Sequence, residues 1–371
     1  MNVADLLSYA DIQQLNRMAA RLDCQCNTNS KQQLIQTILL HMRQRGIFGV
    51  ELHELAVEEL LFLMLLVFDR RDWLSMEELM AKASTAVSHT RSARPIRQLI
   101  TEALASGWLF RGFERSTKDL FRFPRDLALE VMAKIRADGR RRLQYLAQPP
   151  ALWRDEGDSI LSDLLIFLAY VHQHEVPLTA ERVIYKRHLQ LILKRMAVQE
   201  SIPGPGWRFG YGYHYRDYPD RFSLLYDASL VLGLIREDGE HLTLTEKGLQ
   251  VIRDPSKLTL LSIYRTWIRI YKHPIPLLPV VTHLIALLCD QWVLLPSLFA
   301  VVRPWLNEYY YDTPEQVFEQ RIVKMMVHLG LLRMTASPDG TAVCLSHHGR
   351  QLIEQVRSFE AKPIPTPITA R

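Results

Sequence analysis

Cysteine is scarce, four in 371 residues and without the spacing of paired bridges. A disulfide-stapled scaffold is thereby excluded, and a reducing compartment is expected: the cytoplasm, nucleoid association included. Long apolar runs are also missing. The richest, "LLFLMLLVF" (60–68), is nine residues and stops at Asp69-Arg70-Arg71, too short to span a bilayer. The opening "MNVADLLSYADIQQ" lacks the basic-then-apolar order of a secretory signal, so no membrane association is expected.

Chemistry-bearing motifs are equally sparse. No glycine-rich phosphate loop ends in Lys-Ser or Lys-Thr, and "GPGWRFGYG" (204–212) has a proline between its first two glycines. Soft-ligand pairs occur at Cys24-x-Cys26, His172-x-His174 and His347-His348, each without a second pair at zinc spacing. No Ser/His/Asp or Cys/His arrangement stands out. The chain is therefore expected to bind no metal or cofactor, to carry no motor and to be no enzyme.

What the sequence does contain is a repeat. "LTLTEKGLQVI" (242–252) returns as "CLSHHGRQLI" (344–353), and upstream "LVLGLIRE" (230–237) returns as "VHLGLLRM" (327–334). Each copy reads as a helix end, a glycine past it, a short apolar strand, a polar turn, a returning strand and a new helix. "YRDYPD" (215–220) and "YYDTPE" (310–315) place proline at the start of the helix concerned. Two earlier helices precede it in each copy, "ILSDLLIFLAYVH" and "LTAERVIYKRHLQLILKRM", then "PVVTHLIALLCD" and "LPSLFAVVRPWL".

An earlier copy has "VEELLFLMLLVFDR" (57–70), "SMEELMAKA" (75–83) and "RPIRQLITEALASG" (94–107), followed by the strands "WLFRGFE" and "DLFRFP". Ile96, Leu99, Ile100, Ala103 and Leu104 form its helical stripe. These elements predict a mainly α protein with small β-wings: three tandem winged helices at 50–135, 158–255 and 275–357. They follow a helical module at 1–45 that is loosely SAP-like or a plain cap. A linker, "AQPPALWRDEGD" (147–158), and a proline-rich, disordered tail at 358–371 complete the layout.

Charge distinguishes the copies. Residues 85–125 hold eight basic residues against three acidic ones, an excess of +5 that equals that of the whole chain. The matching stretch of copy two (219–254) is −3, and that of copy three (313–357) is +1. A winged helix that holds DNA needs a basic third helix and wing. The expected contacts are Arg94, Arg97, Gln98 and Thr101 along the helix, Ser88, Thr90 and Arg91 before it, and Arg111, Arg115, Lys118 and Arg122 on the wing. A secondary surface would use Lys186, Arg187, Lys194 and Arg195, with Trp207 and Arg208 stacking or holding a strand. For each of these a solvated charged face, or a structural aromatic loop, is the plainer reading.

The sequence "YPD" (218–220), "LGLI" (232–235), "LTEKG" (244–248), "YRTWI" (264–268), "LGLL" (329–332) and "LSHHG" (345–349) resembles the helicase-associated domain of bacterial proteins. That domain is related to the N-terminal region of XPB-type DNA-repair helicases. The resemblance covers roughly 158–357 and implies a DNA-linked accessory role in transcription or repair, beside a motor supplied by another chain. The rival expectation is a scaffold whose second and third copies dock a helicase or polymerase.

Overall fold

The computed structural model describes residues 1–23, 29–46, 49–69, 71–204 and 206–356; the Cys24-x-Cys26 pair and the tail from 358 lie outside them. The chain forms two compact units, Met1–Arg142 and Leu143–Arg371.

The first unit opens with α1 (Val3–Tyr9), α2 (Ile12–Arg21) and α3 (Lys31–Arg45). Then follow α4 (Val57–Val67), β1 (Leu74–Ser75), α5 (Met76–Thr90), α6 (Ile96–Ala105), β2 (Phe110–Arg111), β3 (Leu120–Arg122) and α7 (Arg125–Arg142). α4 buries every residue from Leu61 to Val67, as its unbroken apolar run requires. α5 starts at a capping box, Ser75 accepting from the Glu78 amide and Glu78 from the Ser75 amide. It runs to Thr90, beyond the 75–83 expected, so Ser88 and Thr90 lie in its last turn rather than in a loop before α6.

The N-terminal helices are fastened to this unit. Gln14 on α2 donates to the Leu109 carbonyl (2.9 Å), the Val3 amide donates to Asp126, and Tyr9 stacks on Phe113 at 3.7 Å.

In the second unit the same order of elements occurs twice: α8 (Ser159–Gln173), β4 (Val176–Pro177), α9 (Lys186–Arg195), α10 (Asp220–Val231), β5 (Ile235–Asp238), β6 (His241–Leu244) and α11 (Glu246–Arg253). After α12 (Leu260–Tyr271) come α13 (Leu278–Leu288), β7 (Val293–Leu294), α14 (Leu295–Val302), α15 (Pro314–Gln316), a π-wound stretch Val317–Val323, α16 (Lys324–His328), β8 (Leu332–Ser337), β9 (Gly340–Leu345) and α17 (His347–Gln355). The described strands form small three-stranded antiparallel sheets of one topology, β1-β3-β2, β4-β6-β5 and β7-β9-β8. The protein is thus mainly helical with small antiparallel sheets.

The repeated Ser/Thr-x-x-Gly phrase now has a physical reason. Thr245 and Ser346 cap α11 and α17 by accepting from the Gly248 and Gly349 amides. Their hydroxyls also donate to the Gly233 and Gly330 carbonyls, tying each closing helix to the start of its sheet. A Cβ on Gly248 would lie 2.1 Å from the Leu234 carbonyl oxygen, and one on Gly349 2.2 Å from that of Leu331. Only glycine permits that approach.

Two expectations need correction. α9 begins at Lys186, not at Leu178, because Leu178 and Ile184 pair as a bridge around Arg182, whose φ is +59°. The 147–158 stretch is no free linker: it belongs to the second unit and is held along the strands of its last sheet. Tyr145 pairs with Val293 and Arg154 with Met334, and Thr335 donates to the Leu152 carbonyl at 2.7 Å.

Candidate nucleic-acid interface

The basic ridge of the first unit starts at α6. Leu99, Ile100 and Ala103 turn inward, which leaves Arg97, Gln98 and Thr101 on the exposed face. Gly107, at φ +71°, ends the segment and starts the hairpin. Within that hairpin Arg111, Arg115 and Lys118 are exposed. Arg111 keeps one neighbour, its guanidinium 5.9 Å from the Phe121 ring centre. Among the described residues no carboxylate lies within ion-pair distance of Arg97, Arg111, Arg115 or Lys118, although Glu114 and Asp119 share the hairpin.

Several expected contacts are committed elsewhere. Arg94 is not on the outer face. It is largely covered, its guanidinium 2.9 Å from Glu59 and 3.8 Å from Glu58 and paired with Glu102. Burial works against its charge, yet the hydrogen bonds to Glu102 and Glu59 prevail and raise its pKa. The Glu102 carboxyl is correspondingly lowered, against its own burial, by Arg94 and Gln98. Gln98 stays exposed but is engaged, donating to Glu102 at 2.8 Å.

Arg122 pairs with Asp72 and lies over the Trp73 ring at 5.1 Å, so it braces β3 instead of facing outward. The Thr90 and Thr101 hydroxyls return to their own helices, donating to the Ala86 and Arg97 carbonyls at 2.9 and 3.0 Å. Ser88 and Arg91 remain exposed at the end of α5, with Arg91 at φ +52°.

The secondary surface divides too. Lys186 and Arg187 occupy the first turn of α9 and Lys194 and Arg195 the last, all exposed, with Arg195 over the Tyr170 ring at 5.1 Å. Trp207 is exposed. Arg208 is engaged with Asp220 and the Tyr218 carbonyl.

The matching helix of the second copy is closed off. α10 buries every residue from Arg221 to Ser229, packing on α8, α12 and α16. Arg221 lies inside, donating to Asp163, to Glu156 at 3.2 Å and to the Ser159 hydroxyl at 3.1 Å. Glu156 also meets His328 Nδ1 at 3.2 Å and Arg154. Burial raises its carboxyl, but the hydrogen bond with His328 and the charges of Arg154 and Arg221 outweigh it and the net shift is downward. Such a helix cannot enter a groove without the unit coming apart.

Sequence reasoning missed this network because its partners are distant in the chain, Asp163 being 58 and Glu156 65 residues from Arg221. An arginine directly after "YPD", at the head of an apolar helix, is the local signal the sequence offers.

Among the described residues there is no group of three or more His, Cys, Asp or Glu placed to hold a metal ion, and no helix long and apolar enough to cross a membrane. Comparison with protein families, with curated proteins and with solved structures returns no match for this chain.

Proposed function

We propose that this chain is a DNA-binding accessory protein of three winged-helix modules, the first braced by the N-terminal helices. Each module would be one round of helix, strand, two helices, hairpin and closing helix. The grip on DNA is electrostatic and lies in the first unit. Arg97 on α6 with Arg111, Arg115 and Lys118 on the hairpin meets the phosphate backbone. The observation that supports this is the exposure of these four cations without carboxylate partners, in a unit carrying 21 basic against 17 acidic residues. Phosphate contacts of this kind position a protein on DNA without reading sequence. With Arg94 and Gln98 turned to Glu102, base readout has only Arg97 to rest on.

The later modules are read differently. With α10 and α16 buried against each other, they present sheets, loops and closing helices, which suits a body that holds a partner such as a helicase or polymerase.

Titration of labelled duplex DNA at two salt concentrations tests the reading. Binding is expected to weaken steeply with salt, and Arg115→Ala with Lys118→Ala to lower the slope of log K against log salt by about 2. Absence of binding at low salt, or an unchanged slope in the double variant, would overturn it.

A further inference from the structure

The second unit brings together two loops that lie about a hundred residues apart in the chain. From one come Trp207 and Phe209, and from the other Tyr309, Tyr310 and Tyr311. Trp207 meets Tyr311 with ring centres 4.7 Å apart, Phe209 meets Tyr311 at 5.4 Å, and Tyr309 meets Tyr310 at 4.7 Å. Many large rings of this unit are inside, Tyr218, Tyr226, Tyr264 and Trp267 almost wholly so, and the exposed Trp153, Tyr185 and Tyr213 reach only about half exposure. Here Trp207 is 68% exposed, Tyr310 80% and Tyr311 67%. Three neighbouring large rings left in water mark a contact surface.

The surface is held in place before anything arrives. Arg321 donates to Asp312 in one loop (2.8 and 3.2 Å) and to the Phe209 carbonyl in the other (2.9 Å). Tyr309 and Asp312 exchange backbone hydrogen bonds at 3.0 Å, with Tyr310 at φ +52° between them. That turn holds the Tyr310 ring away from the fold.

Beside Trp207 opens a cleft of about 610 Å³, lined among others by Arg154, Arg208, Lys324 and His328 and by two carboxylates, Asp220 and Glu200, the latter accepting from the Arg221 and Phe222 amides. Arg208 and Lys324 share a single carboxylate, Asp220, one on each oxygen. His328 is buried there with Nδ1 on Glu156, and its Nε2 has no hydrogen-bond partner among the described residues.

We propose that this surface binds single-stranded nucleic acid, unpaired bases stacking on Trp207, Tyr310 and Tyr311 while the phosphates enter the cleft beside Arg208 and Lys324. The combination selects the occupant. Ring faces alone would suit many apolar partners, but ring faces bordered by three cations, Arg154, Arg208 and Lys324, against two carboxylates, one of them held on backbone amides, match a base joined to a phosphate. Duplex DNA is excluded, because paired bases already have both faces covered by their neighbours in the stack. The site is separate from the duplex contact proposed for the first unit, and the two can fail independently.

The test uses the full chain, a labelled oligo-dT strand, an abasic strand of the same length and a duplex. Trp207→Ala with Tyr311→Ala should leave folding intact, since both rings are exposed, and weaken oligo-dT binding by roughly tenfold per ring, with duplex binding unchanged. The abasic strand should bind the parent protein no more tightly than oligo-dT binds the double variant, which keeps Tyr310. Lys324→Ala should weaken oligo-dT binding and reduce its salt dependence. Equal affinity of parent and double variant for oligo-dT would overturn the proposal, as would equal binding of the abasic strand. Self-association of the chain that the double variant abolishes, without any oligo-dT binding, would overturn it in favour of a second copy of this protein. Loss of duplex binding on Arg115→Ala with Lys118→Ala tests the first unit alone.

Discussion

Arg94, just ahead of α6, reaches forward to Glu102 on that helix and back to Glu59 on α4, so one guanidinium joins two helices of the first unit. The residue that spacing alone would place in a DNA groove is a brace. Removing it leaves Glu58, Glu59 and Glu102 close together without their cation. Arg94→Ala should therefore destabilise the first unit by about 1–2 kcal/mol, the range for a partly covered charged network. Duplex affinity of the folded variant should stay within about twofold of the parent, whereas Arg97→Ala should cost more. Urea unfolding beside DNA titration separates the two effects. A large loss of affinity at unchanged stability would return Arg94 to the contact surface.

Arg221 is the corresponding brace of the second unit, and its surroundings are drier. Arg221→Met strands Asp163 and Glu156 in the interior, and the loss of one partner from a buried ion network costs about 3–5 kcal/mol. A variant with unfolding indistinguishable from the parent's would contradict the buried placement of this side chain.

The contrast between these two arginines shows what the sequence made legible. The apolar stripe of α6, the glycines ending the third helices and the paired Ser/Thr-x-x-Gly starts are local patterns, and the helices and hairpins they imply are present. Arg94 and Arg122 misled because spacing along a helix or strand tells which face a residue leaves from, not how far a long side chain bends back to an acid. Glu59 and Asp72 lie tens of residues away, so no window contained the pair. The polar Ser84, Thr85 and Ser88 hid the second half of α5, which tertiary packing holds in place despite weak propensity. The strap at 147–158 looked like a linker because its prolines and charges do, while its backbone is paired to strands that come much later. The aromatic surface of the second unit was half visible, as two separate runs whose meeting only the fold supplies.

Asp227 makes the second unit sensitive to pH. Its carboxylate accepts from the Tyr213 amide at 3.1 Å, and its other oxygen has no partner. Burial raises its pKa to about 7, against the opposing pull of the Tyr213 amide and His214. In an unfolded chain the value is about 3.9. Between these values the folded state keeps a proton that the unfolded state has released, so stability falls as pH rises through that window, by at most about 4 kcal/mol. The Asp220 and Glu156 carboxyls are lowered and tilt the profile the other way, so comparison with Asp227→Asn isolates this group. The asparagine variant should have the flatter profile and be the more stable protein at pH 8. Parallel curves from pH 5 to 8 would show that Asp227 does not titrate in this range.

Gly248 and Gly349 offer a test of the repeat itself. Within the first turn of an exposed helix, Gly→Ala ordinarily stabilises by up to about 1 kcal/mol, since alanine loses less backbone freedom on folding. Here the added methyl would meet the Leu234 or Leu331 carbonyl oxygen at 2.1 or 2.2 Å, a backbone atom that cannot rotate away. The helix would have to lift, stretching the Thr245 or Ser346 amide bond to that same carbonyl, 3.0 Å in both copies, and pulling the capping hydroxyl off Gly233 or Gly330. The sign therefore reverses, and each alanine should destabilise the second unit by about 2 kcal/mol or more. The two losses should be similar, because the same contact is made twice. Thermal unfolding of both variants decides the matter. An alanine variant as stable as the parent would mean that the duplicated phrase is not a packing device, and that its glycines need another explanation.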